Sequence, residues 1–345
     1  MILEALSNAR GISGKEDRVR DIILQEIRGH IDEHRVDALG NLLCIKRARH
    51  ASGEWPHKVM IAAHMDEIGL IVTGINKNGT LRFDKVGGID DRILLSKQVL
   101  IGEEAVPGVI GYRPIHLIPR GERDKAIEAE KLSIDIGATD EESAKKLVTV
   151  GDYVSFRTSF APLDTELRTV KGKAFDDRAG CAVLIELLKE AYDLEIHAAF
   201  TAQEEVGLRG ARVASYSIDP DVAFVLEGTI CDDLPKKKDT SPVTELGKGP
   251  AITFMDRSFI ADRRLVELLV KTAERMDIPY QFKRAVAGGT DAGAIHLARE
   301  GVPSATVSVP SRYIHAPVSL LSLSDFDHTV RLLRAALHKL EGGLG

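Results

Sequence analysis

The chain has 345 residues, 44% of them hydrophobic, with a formal charge of -6 from 46 Lys+Arg against 52 Asp+Glu. That supports one sizeable core, or a core with a smaller satellite domain. The two signs of charge are interspersed, with no basic block for nucleic acid or an anionic membrane surface, and no stretch is long and apolar enough to span a bilayer.

The N-terminal stretch carries charge early and lacks the apolar run and small-residue cleavage site of a secretion signal. Residues 16–28 place Val19, Ile22, Ile23 and Ile27 at helical spacing, with a cap expected near Ser13. A strand–turn–strand pattern comes next around Gly40 and Asn41, then a polar loop around Trp55 and Pro56. Residues 58–63 read as a strand ending at His64; an apolar run without alternation suits burial on both faces.

From residue 73 to 162 the texture changes to short β-prone pieces separated by glycine and proline, with one short helix over 140–146. The α/β texture then resumes. Helices are expected over 179–190, 265–274 and 323–340. Strands are expected before Gln203, before Glu227 and before the loop that carries His315, and the glycines at 288–289 lead into a helix that Gly301 stops. Cys44, Cys181 and Cys231 are scattered and odd in number, so a reducing, cytoplasmic setting is expected rather than a disulfide framework. The whole reads as an α/β fold. A mostly parallel sheet flanked by helices spans 1–72 and 163–345, and a small β-rich domain is inserted over 73–162.

His64, Glu204 and Glu205, Glu227 and His315 each come closely after an apolar strand candidate. In an open α/β sheet the crevice beyond the carboxyl ends of the strands is where ligands bind. A histidine at a strand end can ligate a metal, and Asp66, two residues on, is placed to fix its tautomer. Asp176 and Asp177 sit in a loop before a helix, where a carboxylate can bridge two cations or simply cap. Two consecutive glutamates after a buried strand are costly without charge partners, which metals would supply. One pairing these residues allow puts His64, Asp177 and Glu227 on one cation and Asp177, Glu205 and His315 on another. Glu204 is then free as general base. Spacing does not separate this pairing from others.

The segments AAHMDEIG, KAFDDR, QEEVGLRGA, GGTDAGAI and SRYIH, in that order over nearly the whole chain, resemble the tetrahedral (TET) aminopeptidase family. That family includes glutamyl and deblocking aminopeptidases and members labelled endoglucanase. The resemblance implies a di-zinc exopeptidase type of α/β domain with an inserted dimerisation domain. It implies dimers assembled into a hollow tetrahedral dodecamer, and trimming of short peptides from the N-terminus with two zinc or cobalt ions. It also implies His64, Asp177, Glu205, Glu227 and His315 as ligands, Glu204 as general base, Asp66 as support for His64, and a role for His116 near the site. Many relatives carry aspartate where this chain has Glu227, which leaves inner-site geometry open. The favoured N-terminal residue is not legible.

Two other hydrolase classes use similar groups. Paired carboxylates serve glycoside hydrolases, but one tryptophan and 5% aromatics make a poor sugar platform. A carboxypeptidase, dipeptidase or deacylase would share the two-metal chemistry and differ in its pocket, where an arginine would take the substrate carboxylate; the sequence does not place Arg178, Arg257 or Arg312.

Overall fold

The run before His64 alternates between two cores. Val59, Ile61 and Ala63 face one apolar cluster, and Met60 and Ala62 face the other. Burial on both faces is why the sequence shows no polar alternation there. The computed structural model describes residues 1–50, 58–123, 125–235 and 241–344; the loop expected around Trp55 and Pro56 lies outside the described residues.

Among the described residues the larger sheet has eleven strands. Its centre is four parallel strands in the order Glu195–Thr201, Lys58–His64, Val222–Cys231 and Ser304–Arg312. Strands Leu42–Lys46 and Glu33–Val36 extend it antiparallel on one side. Ser319–Ser322, Thr169–Gly172 and Ala161–Asp164 do so on the other. The sheet is therefore mixed, not mostly parallel. The flanking strands are short and less uniformly apolar than the central ones, and strand direction leaves no mark on composition.

Helices Phe175–Leu188, Arg263–Arg275 and Leu323–Leu340 cover one face with the N-terminal helices Ile2–Asn8 and Asp17–Ile27. Arg209–Ile218 and Ala292–Ile295 cover the other. Asp17–Ile27 has no side-chain cap: the hydroxyl of Ser13 donates instead to Asp66. The segment around Gln281 forms only a two-residue strand, Gln281–Phe282, and the helix after Asp291 is one turn long.

Between the His64 strand and the helix that begins at Phe175, six strands close into an antiparallel barrel. They are Gly69–Ile75, Leu81–Val86, Ser133–Asp135, Val106–Gly111, Gln98–Ile101 and Tyr153–Phe156. Leu70, Phe83, Ile101, Ile110, Ile134 and Val154 fill it. No helix among the described residues is long and apolar enough to cross a membrane.

Strand register fixes which polar residues reach the sheet's edge. His64 lies opposite Thr201, and Glu227 opposite Ser308. The strand Val222–Cys231 runs on past Glu227, but its pairing with the His64 strand stops at Val225. Glu227 is thus inside its own strand, two residues past the last pair with the His64 strand, at the edge of the sheet's centre.

Candidate active site

The end of the strand Lys58–His64 places His64, the middle of the strand Val222–Cys231 places Glu227, the turn after Thr201 places Glu204 and Glu205, and the start of the helix Phe175–Leu188 places Asp176. A loop after Arg312 brings in His315. Two groups of possible ligand atoms result: His64, Asp176 and Glu227, and Asp176, Glu205 and His315. Within each group the atoms lie within 4.8 Å of one another. Asp176 belongs to both. Its Oδ1 is 3.2 Å from His64 Nε2 and its Oδ2 is 3.5 Å from His315 Nε2. Glu227 Oε2 is 3.6 Å from His64 Nε2, and Glu205 Oε2 is 3.6 Å from His315 Nε2.

The shared position differs from the sequence expectation. Asp177 is adjacent in the chain but turned away. Its Oδ2 accepts from the backbone N–H of His64 at 3.1 Å and its Oδ1 from that of Gly180 at 2.9 Å. Both of its oxygens are occupied by backbone donors, and the bond to Gly180, three residues on, is a helix-capping pattern. The peptide joining Asp176 to Asp177 is cis. The sequence shows that one of two adjacent acids before a helix can cap it, but not which one.

Asp66 does more than face His64. It is fully buried, its Oδ1 is 3.4 Å from His64 Nδ1, and it accepts from the backbone N–H groups of Glu204 at 3.0 Å and Glu205 at 3.1 Å. Glu16 accepts from Gln203 N at 3.1 Å. Sequence reasoning missed this support of the turn, by Glu16 directly and by Ser13 through Asp66, because it joins residues 187 and 53 positions apart. The ring of His315 is oriented by Nδ1 against the carbonyl of Gly88, 2.9 Å away in the barrel segment. His116 lies on an exposed turn of the barrel, Ile115–Leu117. Arg178 is buried, donating to the carbonyls of Leu6, Gly11 and Met65, and Arg312 pairs with Asp233.

The charges are arranged for cations. Burial raises Glu204 and Glu227 well above the ordinary carboxylate range; the His64 ring opposes this, and neighbouring acids add to it. Burial pushes Glu205 up to about 7. Burial works against the imidazolium of His315, but Asp176 and Glu205 raise it to about 10. Burial also opposes ionisation of Asp176, yet His315 and His64 hold it below its usual range. Glu227 Oε1 is buried with no hydrogen-bond partner among the described residues, a cost a ligated cation removes. Histidine and carboxylate donors at this spacing fit two divalent cations.

Beside them opens a cleft of about 640 Å³ lined by Glu204, Leu208, Ile230, Lys283 and Tyr313. Fold and site together define a two-metal hydrolase that acts on peptides. The profile of the M42 glutamyl aminopeptidases matches residues 40–332, and the chain belongs to that family. It is similar to the TET aminopeptidase of the marine sediment archaeon Thaumarchaeota archaeon SCGC AB-539-E09, with 37% identity, a TM-score of 0.93, and coverage of 100% of this chain and 99% of that one. It is similar to the TET1 peptidase of Pyrococcus horikoshii, which can assemble into a tetrahedron or a large octahedral shell. That match has 37% identity, a TM-score of 0.86, and coverage of 98% and 99%. A lysyl aminopeptidase of Pyrococcus furiosus is 33% identical over 99% of this chain and 97% of its own length.

Cation uptake at pH 7 is expected to release protons. Glu205, at about 7, is partly protonated there, and His315, at about 10, carries its proton. Both must lose protons to ligate, so apparent affinity climbs with pH and falls below pH 7. Titration calorimetry in two buffers of different ionisation enthalpy measures this; a binding heat independent of buffer contradicts it.

Proposed function

We propose that the chain removes single residues from the free N-terminus of short peptides. His64, Asp176 and Glu227 would hold one cation, and Asp176, Glu205 and His315 the other. The observation that carries this reading is that two ligand groups share Asp176 while Glu204 stands beside them in neither. Zinc suits these donors, and cobalt is the other metal the family resemblance implies. Bound there, such ions polarise a carbonyl and lower the pKa of water.

Glu204 is the group left for proton transfer. Its Oε2 is 4.0 Å from His64 Nε2, it lines the cleft, and burial raises its proton affinity. A carboxylate so tuned takes a proton from water and passes it to the leaving amine. Asp66 is a positioning residue. It orients the His64 ring and, through two backbone N–H groups, fixes the turn that aims Glu204 into the cleft and Glu205 toward His315. Of the arginines the carboxypeptidase alternative would draw on, Arg178 and Arg312 are engaged elsewhere, and Arg257 is exposed, its backbone N–H donating to Gly288 O at 3.0 Å.

For assembly we favour dimers built into a tetrahedral dodecamer, with residues 73–162 at the dimer contact and His116 facing a neighbouring subunit. Supporting this are the relatives' assemblies and the exposed apolar residues Val109, Ile115 and Leu117 on the barrel. A cytoplasmic setting fits three free, buried cysteines.

Protein stripped by a chelator should lose cleavage of free-amine aminoacyl substrates and regain it with zinc or cobalt, while N-acetylated controls stay uncut. Glu204→Gln should keep cation binding and lower kcat by roughly 100- to 10,000-fold; near-full activity in that variant removes Glu204 as the base. Light scattering at a dodecamer's mass fits the assembly, and a monomer's or dimer's mass does not.

A further inference from the structure

A second cleft, of about 380 Å³, opens between residues 10–18 and the barrel, and none of His64, Asp176, Glu204, Glu205, Glu227 and His315 lines it. Its barrel wall follows from strand alternation. Val154 and Phe156 of the strand Tyr153–Phe156 point into the barrel core, so Tyr153 and Ser155 face outward, where the N-terminal segment covers them. Gly14 packs on that wall: a Cβ there would stand 3.1 Å from the Tyr153 hydroxyl. The hydroxyl of Ser155 is buried in the wall with no hydrogen-bond partner among the described residues, a cost that a bound polar group removes.

Six charged side chains line the cleft, three of each sign. Four of them pair among themselves: Lys15 and Arg18 meet Glu103 at 3.1 and 2.8 Å, and Lys15 meets Asp17 at 3.3 Å, whereas neither Arg10 nor Asp152 joins an ion pair among the described residues. Arg10 donates to the carbonyls of Gly102 at 2.5 Å and Glu103 at 2.9 Å. Those bonds use two of its five N–H groups. Asp152 accepts from the backbone N–H of Thr149 at 2.8 Å through Oδ2. Both heads lie beside Gly102, since a Cβ on that glycine would stand 3.1 Å from Asp152 Oδ2. Burial and the nearby Arg18 lower Arg10 from the usual guanidinium range, and an anion beside it would offset both. The cleft thus holds one cation on the N-terminal side and one carboxylate on the barrel side, each without an ionic partner.

From these observations we infer that the cleft is a second ligand site, and that its ligand is a free neutral α-amino acid bound as the zwitterion. The ligand's carboxylate takes the open N–H groups of Arg10, its ammonium takes Asp152, and the Ser155 hydroxyl gains a polar partner. Ile12 and the ring of Tyr153 supply the apolar part of the lining for its side chain. The balanced lining disfavours a ligand of net charge. A bare anion meets Glu103 and Asp152, and a bare cation meets Arg10 and Arg18. An α-amino acid is also what the proposed reaction releases; that relation rests on the aminopeptidase reading, while the site itself does not. A ligand that bridges the N-terminal segment and the barrel should raise the melting temperature.

The test is calorimetric titration of the zinc-loaded full chain, its metal site kept saturated by leucine hydroxamate, which lacks a carboxylate. L-Leucine, N-acetyl-L-leucine and L-leucinol are compared, the second lacking the ammonium and the third the carboxylate. One equivalent of L-leucine should bind, and both comparators should bind roughly 10- to 100-fold more weakly, as for loss of a charge-assisted hydrogen bond. Asp152→Asn should weaken L-leucine by a similar factor, and Ser155→Ala by roughly 3- to 10-fold. Thermal melts without ligand check folding, and Ser155→Ala should melt no lower than the parent, because it removes a hydroxyl that has no partner. No heat from L-leucine under this block, or equal affinity for all three compounds, overturns the inference. So does parental affinity for L-leucine in both variants. L-Leucine bound as expected by a chain that leaves free-amine substrates uncut keeps the site and overturns the aminopeptidase reading, and with it the product relation. Cleavage of free-amine substrates without the second site does the reverse.

Discussion

Asp176, Glu204, Glu205 and Glu227 converge on two imidazoles, the buried His64 and the more exposed His315. Like charges gathered there repel one another, and a solvent-poor site strengthens that repulsion. Divalent cations resolve it. Much of the surrounding architecture keeps the acids from relaxing apart before a cation arrives.

That restraint comes from groups that themselves never meet a ligand. Asp66 fixes the Glu204–Glu205 turn through backbone donors, and Asp177 fixes both the His64 strand end and the helix start. Next to Asp66, Glu67 meets Lys173 at 2.6 and 2.7 Å and the Gly11 N–H at 3.0 Å. Burial pushes Lys173 down to about 8, with Glu67 resisting. Buried charges cost several kcal/mol each unless paired and hydrogen-bonded, and here the pairing locks the N-terminal helices to the site. The same N-terminal segment reaches the barrel. Arg10 donates to Gly102 O, and Lys15 and Arg18 meet Glu103. The barrel and the Glu204–Glu205 turn are thus joined by residues 10–18.

Much of this was legible in the sequence. Strands before His64, Gln203 and Glu227, and the helices over 265–274 and 323–340, arise from burial pattern, and two histidines with acids at strand ends announced a metal site. Strand direction was not legible, because an antiparallel flank and a parallel centre can share one composition. The shared acid was also missed. Asp176 and Asp177 differ only in which carboxylate the backbone N–H groups claim, a fact of three-dimensional geometry. Arg178 and Arg312 could not be placed either, since their partners lie far away in the chain: Leu6 and Met65 for one, Asp233 for the other.

The chemistry of the site depends on Asp176 being the acid common to both ligand groups. The most direct measurement is cation stoichiometry by equilibrium dialysis with elemental analysis, comparing the parent with Asp176→Ala and with circular dichroism confirming that both are folded. Two cations per parent chain, with both sites severely weakened in the variant, is the predicted result. A folded Asp176→Ala that still binds two cations with parental affinity contradicts it.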